Sequence, residues 1–234
     1  MTNAPKKELK ERKPSQKSAS DRVQKLYTER ASFYDSLFID FLGWGRELEK
    51  FFRKSNYVQP SRKVLDAGCG TGIITKTLYQ LAREKGAIGM TFHAFDLTES
   101  MLDIFRKWIK AQGAENIELK QADILEIETL PSHWKEYDLI VSSTMLEYLP
   151  KNKVKDALAN LRQLTRNGGT LLVFITKRSL ITRWLAGRWW ETNTYEKSEI
   201  KAVFNKAGFE RVEFKRFSSN SWWSRFILVI EAKK

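Results

Sequence analysis

The sequence is poor in the residues that cross-link chains or bind metals. It has one cysteine, Cys69, and two histidines, His93 and His133, among 234 residues. A single cysteine excludes an internal disulfide and disfavours thiol-based chemistry. We interpret His93 as a core residue of a buried strand and place His133 on a polar connection. Neither histidine has the company of further metal ligands, so we expect no metal site.

Long apolar runs are missing as well. No stretch approaches the roughly 20 apolar residues that a bilayer-spanning helix needs. The first residues, Met1 to Lys7, lack the apolar centre of a signal peptide. We therefore expect a cytoplasmic protein. The length suits one domain of the open α/β kind, with enough chain to bury a substantial core.

Negative charge is in short supply, since the formal net charge is +13. Part of this excess lies in residues 1–20, which hold six basic and two acidic side chains and almost nothing apolar. This composition predicts a disordered basic arm. The arm is either a solubilising tail or a contact for anionic lipid or RNA.

Apolar periodicity begins after the arm. Residues 21–58 repeat apolar side chains at helical spacing, which predicts an N-terminal helical cap whose second helix covers residues 44–53. From residue 59 to residue 234, strands and helices alternate, as is typical of a Rossmann-like doubly wound sheet. Helices are predicted at 72–85, 98–113, 151–165 and 196–207. Strands are predicted up to Asp66 and at 91–96, 117–121, 137–142, 170–175, 211–217 and 225–231, the last two forming a terminal hairpin.

The most specific motif is V-L-D-A-G-C-G-T-G at residues 64–72. A strand ends at Asp66, and Gly68, Gly70 and Gly72 then let the backbone turn sharply and approach a ligand closely. The dinucleotide fingerprint G-x-G-x-x-G would need a glycine where Ile73 stands, so NAD is disfavoured. A tight turn that binds nothing is the alternative.

Three further motifs follow later strands. Asp96 ends the second strand, where a carboxylate can accept both hydroxyls of a ribose; a charge that complements the following helix dipole is the alternative. Q-A-D-I at residues 121–124 follows the third strand. The fourth strand leads into S-S-T-M-L-E-Y-L-P at residues 142–150.

These four motifs, in this order, resemble those of the class I S-adenosylmethionine-dependent methyltransferases, over about residues 60–234. The resemblance implies an α/β fold with a seven-stranded, mostly parallel sheet whose last strand is antiparallel, and S-adenosylmethionine as cofactor. It implies that Asp96 binds the ribose and that Leu97 and Met101 pack on the adenine face. Asp123 and Ile124 contact the adenine edge, and Ser142 meets the amino group. Asp66, Gly68, Cys69, Gly70 and Gly72 then face the methionine end.

The fourth motif also bears on the acceptor. Enzymes that methylate amide or base nitrogens usually have Asn-Pro-Pro-Tyr where this chain has residues 142–145, so a nucleic-acid acceptor is disfavoured. Related small-molecule enzymes often show a His-His pair where this chain has Glu147 and Tyr148. Both residues are candidates for catalysis, with Glu147 as a general base. A helix-capping or surface acid is the alternative for Glu147.

Two segments resemble lids. Residues 26–35 are similar to the lid helix of ubiquinone/menaquinone-type methyltransferases, which implies that Tyr34 and Tyr27 close over the sulfonium; core packing is the alternative. Residues 177–195 form an aromatic and basic segment with the candidate substrate-binding residues Trp184, Trp189 and Tyr195. An amphipathic helix there suits an apolar substrate, a peripheral membrane contact, or an ordinary core.

Together these patterns predict a biosynthetic methyltransferase that acts on a small, apolar or aromatic metabolite by in-line transfer to O, N or C. A membrane-associated lipid or quinone methyltransferase is the first alternative. A non-catalytic or RNA-associated protein is the second. The sequence has no signal for the oligomeric state.

Overall fold

The computed structural model describes residues 43–179, 193–217 and 221–234. These residues form one seven-stranded sheet with five α-helices packed around it. The elements are α1 (Trp44–Arg53), β1 (Lys63–Ala67), α2 (Ile73–Lys85), β2 (Thr91–Asp96), α3 (Glu99–Gln112), β3 (Ile117–Gln121), β4 (Tyr137–Ser143), α4 (Val154–Leu164), β5 (Thr165–Thr176), α5 (Lys197–Lys206), β6 (Arg211–Lys215) and β7 (Ile227–Lys233).

The strands are ordered β3-β2-β1-β4-β5-β7-β6. Strands β1 to β5 pair in parallel, whereas β7 runs antiparallel to both β5 and β6. The predicted doubly wound sheet, with its final strand antiparallel, is therefore confirmed. Because β1 and β4 lie side by side at the centre, the loops after β1, β2 and β4 meet at the carboxyl edge of the sheet.

The two faces of the sheet are built by alternation along each strand. Val64, Phe92 and Leu139 point to the face covered by α1, α2 and α3. Leu65, Phe95 and Ile140 point to the opposite face, covered by α4 and α5. Both sets are buried, so each strand of the central sheet contributes to two cores.

The helical cap is described only in its second half. Helix α1 has the predicted bounds and packs on α2, with Leu48 and Phe52 fully buried and Phe51 partly buried. Residues 21–42 and the basic arm at 1–20 lie outside the described residues. Within the described ranges, no helix is long and apolar enough to cross a membrane.

Three elements begin at residues other than those predicted. The fourth helix begins at Val154, because Lys151–Lys153 form a separate 3-10 turn. Strand β5 begins at Thr165, since Thr165 pairs with Tyr137 and Gly168, at φ 73°, permits the turn before Thr170. The terminal hairpin is confirmed, although β7 begins at Ile227 because Trp222–Arg225 form a 3-10 turn.

The histidines also differ from expectation. His93 is a core residue, as predicted: it is buried, its Nδ1 lies 2.7 Å from Tyr137 Oη, and its ring stacks on Trp134. Burial lowers the pKa of His93 to about 4, which keeps the ring neutral at pH 7. The expectation that neither histidine lies near further metal ligands was wrong. Pairing of β2 with β3 places Glu118 beside His93, and the loop before β4 returns His133 to the same carboxylate.

Candidate cofactor and active site

The glycine-rich loop after β1 has the backbone conformation that requires glycine. Gly68, Gly70 and Gly72 have φ of 73°, 53° and 89°. A Cβ on Gly68 would lie 2.6 Å from Met145, and one on Gly72 would lie 2.5 Å from the ring of Phe105. A Cβ on Gly70 would have no atom within 4 Å. Packing therefore requires the first and third glycines, whereas the second borders open space.

Asp66 lies below this loop with one carboxylate oxygen unpaired. Its Oδ2 accepts hydrogen bonds from the amide and the hydroxyl of Thr75, at 3.1 and 2.7 Å. Its Oδ1 is buried and has no partner. Burial, with a smaller contribution from the charge of Asp96, raises the pKa of Asp66 to about 7. An unpaired buried acceptor of this kind suits a ligand that brings a donor or a positive charge.

Asp96 joins the glycine loop to the start of α3. Its Oδ2 accepts from the Gly70 amide at 2.8 Å, and its Oδ1 accepts from the Thr98 amide at 2.9 Å. The hydroxyl of Thr98 and the amide of Leu97 also interact with this carboxylate. Asp96 is only partly buried and lies at the carboxyl edge of β2. Burial still raises the pKa of Asp96.

The other predicted adenosine contacts surround Asp96. The Ala122 amide donates to the Asp96 carbonyl at 3.0 Å, which brings the loop after β3 next to the end of β2. In that loop Asp123 Oδ1 accepts from the Leu125 amide, and Ile124 is buried. Leu97 is partly exposed and Met101 is buried on α3. The structure therefore brings these four residues to one corner of the sheet edge.

Two more predicted residues lie at the carboxyl ends of the central strands, Ser142 in β4 and Cys69 in the loop after β1. Ser142, near the end of β4, is fully buried and its Oγ has no partner. Cys69 is buried, and burial raises the pKa of its thiol well above the usual range, so the thiol is inert at neutral pH. The amides of Gly68 and Cys69 both donate to the Phe95 carbonyl, at 2.9 and 3.0 Å, which joins the loop to β2.

Glu147 is buried in the turn after β4 and is not a surface acid. Its Oε2 accepts from the Thr176 amide at 2.9 Å, and its Oε1 accepts from the Thr176 hydroxyl at 2.8 Å. Burial raises the pKa of Glu147 to about 7, although both bonds oppose the rise. Tyr148 follows it, partly exposed. The pair thus lies at the carboxyl edge between β4 and β5, with Glu147 close to half ionised at neutral pH.

Tyr195 lies against the end of β5. It is buried, and its amide donates to the Thr176 carbonyl at 3.2 Å. The Tyr195 hydroxyl is buried without a hydrogen-bond partner, and burial raises its pKa to about 12. Tyr195 therefore neighbours the Glu147 turn. The remaining predicted residues, Tyr27, Tyr34, Trp184 and Trp189, lie outside the described residues.

Sequence reasoning missed several supporting residues. The hydroxyls of Thr75 and Thr176 donate hydrogen bonds to the carboxylates of Asp66 and Glu147, respectively. The backbone N–H of Asn193 donates to the Glu147 carbonyl at 2.8 Å. Thr176 follows Glu147 by 29 residues, so no local motif links them. The position of Thr176 just past the predicted end of β5 is the one signal that could have drawn attention to it.

Comparisons with known proteins agree with this geometry. A family model described as a methyltransferase domain matches residues 64–169. Demethylmenaquinone methyltransferase of Staphylococcus carnosus is 26% identical over 235 residues, covering 86% of this chain and 90% of that protein. A ubiquinone/menaquinone biosynthesis C-methyltransferase of Shewanella piezotolerans is 27% identical, and the match spans 66% of this chain and 59% of that protein.

A solved structure shows the same fold. Magnesium protoporphyrin IX methyltransferase from Synechocystis, crystallised with S-adenosylmethionine, superposes with a TM-score of 0.68 at 15% identity, covering 92% of this chain and 97% of that chain. The matched domain includes the glycine loop, Asp96 and the Glu147 turn. The matched domain, these relatives and the fold show an S-adenosylmethionine-dependent methyltransferase of the kind that acts on small molecules, similar to the class I enzymes.

Proposed function

We propose that this enzyme methylates an O, N or C atom of a small apolar or aromatic metabolite that enters at the carboxyl edge of β4 and β5. When bound, S-adenosylmethionine supplies a methyl group activated by the sulfonium charge. The bond from methyl to sulfur breaks as the bond to the acceptor forms, leaving S-adenosylhomocysteine. A proton leaves the acceptor where the nucleophile holds one.

An aromatic cluster beside the end of β5 supports an apolar or aromatic acceptor. It consists of Trp44, Phe51, Phe174, Phe217 and Trp223. The Trp44 ring lies 4.8 Å from Trp223 and 5.9 Å from Phe174, and Phe51 lies 5.5 Å from Phe174. Phe174 is two residues before Thr176, whose hydroxyl contacts Glu147. The cluster is part of the buried core beside the predicted acceptor position, and this apolar surrounding favours an apolar acceptor.

The chain's own residues supply placement and a dry pocket. We assign Asp66 Oδ1 to the positively charged end of the cofactor, Asp96 to the ribose, and Asp123 with Ile124 to the adenine edge. Because the transferring methyl leaves a positive sulfur, the positive charge disperses, and holding the reactants in line provides most of the rate. Glu147, with a pKa near 7, is placed to accept a proton from an acidic acceptor.

The segments outside the described residues complete this proposal. Tyr27 and Tyr34 of the cap would close over the sulfonium, and residues 177–195, with Trp184 and Trp189, would cover the acceptor. Attraction of an aromatic face to a cation contributes about 0.5–2 kcal/mol, so these tyrosines should influence cofactor affinity by less than Asp96 does.

The test is turnover with S-adenosylmethionine against a panel of phenols, quinols, aliphatic acids and polar amines. We expect S-adenosylhomocysteine release and a product heavier by one methyl group with aromatic or apolar acceptors. Two matched variants control for the site. Gly70→Ala and Gly86→Ala replace glycines at φ 53° and 64°, each with no atom within 4 Å of the added Cβ. Only Gly70→Ala should weaken S-adenosylhomocysteine binding. Turnover confined to polar amines would overturn the acceptor class.

A peripheral membrane enzyme acting on a lipid or quinone is the second candidate. Trp222 is 46% exposed and lies 4.8 Å from Trp223 and 5.2 Å from Phe226. These residues precede β7, whose first residue Ile227 pairs with Thr176, so the exposed ring is at the acceptor edge. The Staphylococcus relative is named for a quinone substrate. An exposed tryptophan beside a basic surface is typical of interfacial contacts.

Vesicle flotation tests this second candidate. We expect binding to vesicles with anionic lipid that weakens with salt and is reduced in Trp222→Ala. Ile88→Ala is the matched control, since Ile88 is 82% exposed but precedes β2 at the opposite edge of the sheet. Equal binding by both variants and wild type would exclude a role for Trp222.

A further inference from the structure

Three metal-ligating side chains meet on the sheet face that packs against α4 and α5. They are His93 of β2, Glu118 of β3 and His133 of the loop before β4, here termed the His–Glu cluster. His133 Nε2 lies 3.0 Å from Glu118 Oε2, and His93 Nε2 lies 3.6 Å from the same oxygen. All three ligand atoms lie within 4.8 Å of one another. Donors around a tetrahedral Zn²⁺ are about 3.4 Å apart, from bond lengths of about 2.0–2.2 Å.

Neighbouring residues fix the orientation of one of the three ligands, His93. His93 Nδ1 is 2.7 Å from the hydroxyl of Tyr137, which fixes the ring through its second nitrogen. The ring also stacks on Trp134, with centroids 4.6 Å apart. Metal-bound histidines are characteristically oriented in this way by a hydrogen bond from the distal nitrogen. Nε2 of His93 faces Glu118, and its lone pair is free for a metal ion in the tautomer whose Nδ1 donates to Tyr137 Oη.

The other two ligands can adjust. The side chains of His133 and Glu118 are 60% and 47% exposed, so closing a gap of up to 4.8 Å does not disturb the core. One nearby charge opposes a cation: Lys63 Nζ donates to the His133 carbonyl at 2.7 Å and lies 4.9 Å from the Tyr137 ring. The same bond fixes the backbone of the loop that presents His133.

We propose that the His–Glu cluster binds one divalent transition-metal ion of the imidazole-preferring class, such as Zn²⁺, with a water molecule completing the coordination. Two imidazoles and one carboxylate form a recognised zinc donor set. The ion would join β2, β3 and the loop before β4. His93 is three residues before Asp96, about 10 Å along the strand. The site is therefore separate from the methyl-transfer edge, and we assign it a stabilising rather than a catalytic role.

No other histidine competes for the metal ion in the test, because the chain has only two histidines and both are in the cluster. Untagged protein is freed of metal with a chelator and titrated with Zn²⁺ by calorimetry. We expect one saturable site per chain and a higher melting temperature with Zn²⁺. His133→Ala and Glu118→Gln, both at exposed positions, should weaken Zn²⁺ binding at least about tenfold. Tyr137→Phe should weaken it about 10–100-fold by releasing the His93 ring.

Co²⁺ substitution identifies the ligands. We expect visible absorption bands of four-coordinate Co²⁺ in wild type that disappear in His133→Ala. Glu213→Gln, at an exposed acid of β6, is the matched control and should behave as wild type. Absence of stoichiometric Zn²⁺ uptake, uptake unchanged in His133→Ala, or a thiolate charge-transfer band from Cys69 would each overturn the proposal.

Discussion

Replacing Asp96 by alanine tests the cofactor site most directly. Hydrogen bonds to a charged acceptor contribute about 1.5–3 kcal/mol each, and the proposed ribose site gives Asp96 two of them, one from each ribose hydroxyl. Water will occupy the truncated site, so we take the lower end for both bonds. The expected loss is about 3 kcal/mol, which corresponds to a roughly hundredfold rise in the Kd for S-adenosylhomocysteine.

Calorimetry with S-adenosylhomocysteine measures this change, and urea unfolding reports whether the fold is kept. The second measurement matters because Asp96 also accepts from the amides of Gly70 and Thr98. Asp96→Asn retains one acceptor oxygen and should lose less affinity than Asp96→Ala. Asp103→Ala is the control, since Asp103 is an exposed acid on α3 paired with Arg106 at 2.7 Å. A folded Asp96→Ala variant with affinity within threefold of wild type would refute the ribose assignment.

Four further predictions concern single positions. Burial raises the pKa of Asp66 from 3.8 to about 7, so the unfolded chain loses this proton at lower pH than the folded one, and ionisation lowers the stability of wild type as pH rises between these values. The free energy of unfolding of Asp66→Asn in urea, relative to wild type, should therefore rise by on the order of 4 kcal/mol across that interval. A difference that does not change with pH would argue against the buried charge. Gly72→Ala should destabilise the fold far more than Gly86→Ala, because its Cβ would lie 2.5 Å from Phe105 whereas a Cβ on Gly86 would meet open space. Both variants bear the cost of a left-handed conformation, about 1–2 kcal/mol. Equal losses of unfolding free energy in urea would contradict the packing argument. Trp184→Ala should raise the KM for the acceptor while leaving the Kd for S-adenosylhomocysteine unchanged, and equal losses in both would indicate a packing role. Cys69 should resist iodoacetamide in the native protein and react after unfolding, since its thiol is buried and has a raised pKa. Mass spectrometry measures the labelling, and rapid labelling of the native protein would show that the loop opens.

The parts of the fold that could be predicted are those specified by short stretches of sequence. The glycines at 68, 70 and 72 indicate a turn because only glycine adopts positive φ freely, and all three do so. The last two predicted strands follow each other without a helix, which indicates an antiparallel hairpin, as β6 and β7 form. Helix α1 has an apolar repeat strong enough to give its exact bounds.

The parts that could not be predicted depend on residues that only folding brings together. Thr176 meets Glu147 from a neighbouring strand, and nothing local to either residue indicates the pairing. His93, Glu118 and His133 are separated by 25 and 15 residues and converge through strand pairing and the return of one loop. The early start of β5 depends on the pairing of Thr165 with Tyr137, which the sequence around Thr165 does not reveal.

The unpaired oxygen of Asp66 has a consequence for ligand exchange. A carboxyl with a pKa of about 7 is divided between two protonation states at neutral pH, and a cation binding beside it favours the ionised one. Association should therefore expel a fraction of a proton, and its heat should vary with the ionisation enthalpy of the buffer. Mild acidification would then compete with the ligand, so cofactor occupancy in this enzyme would follow the pH of its surroundings.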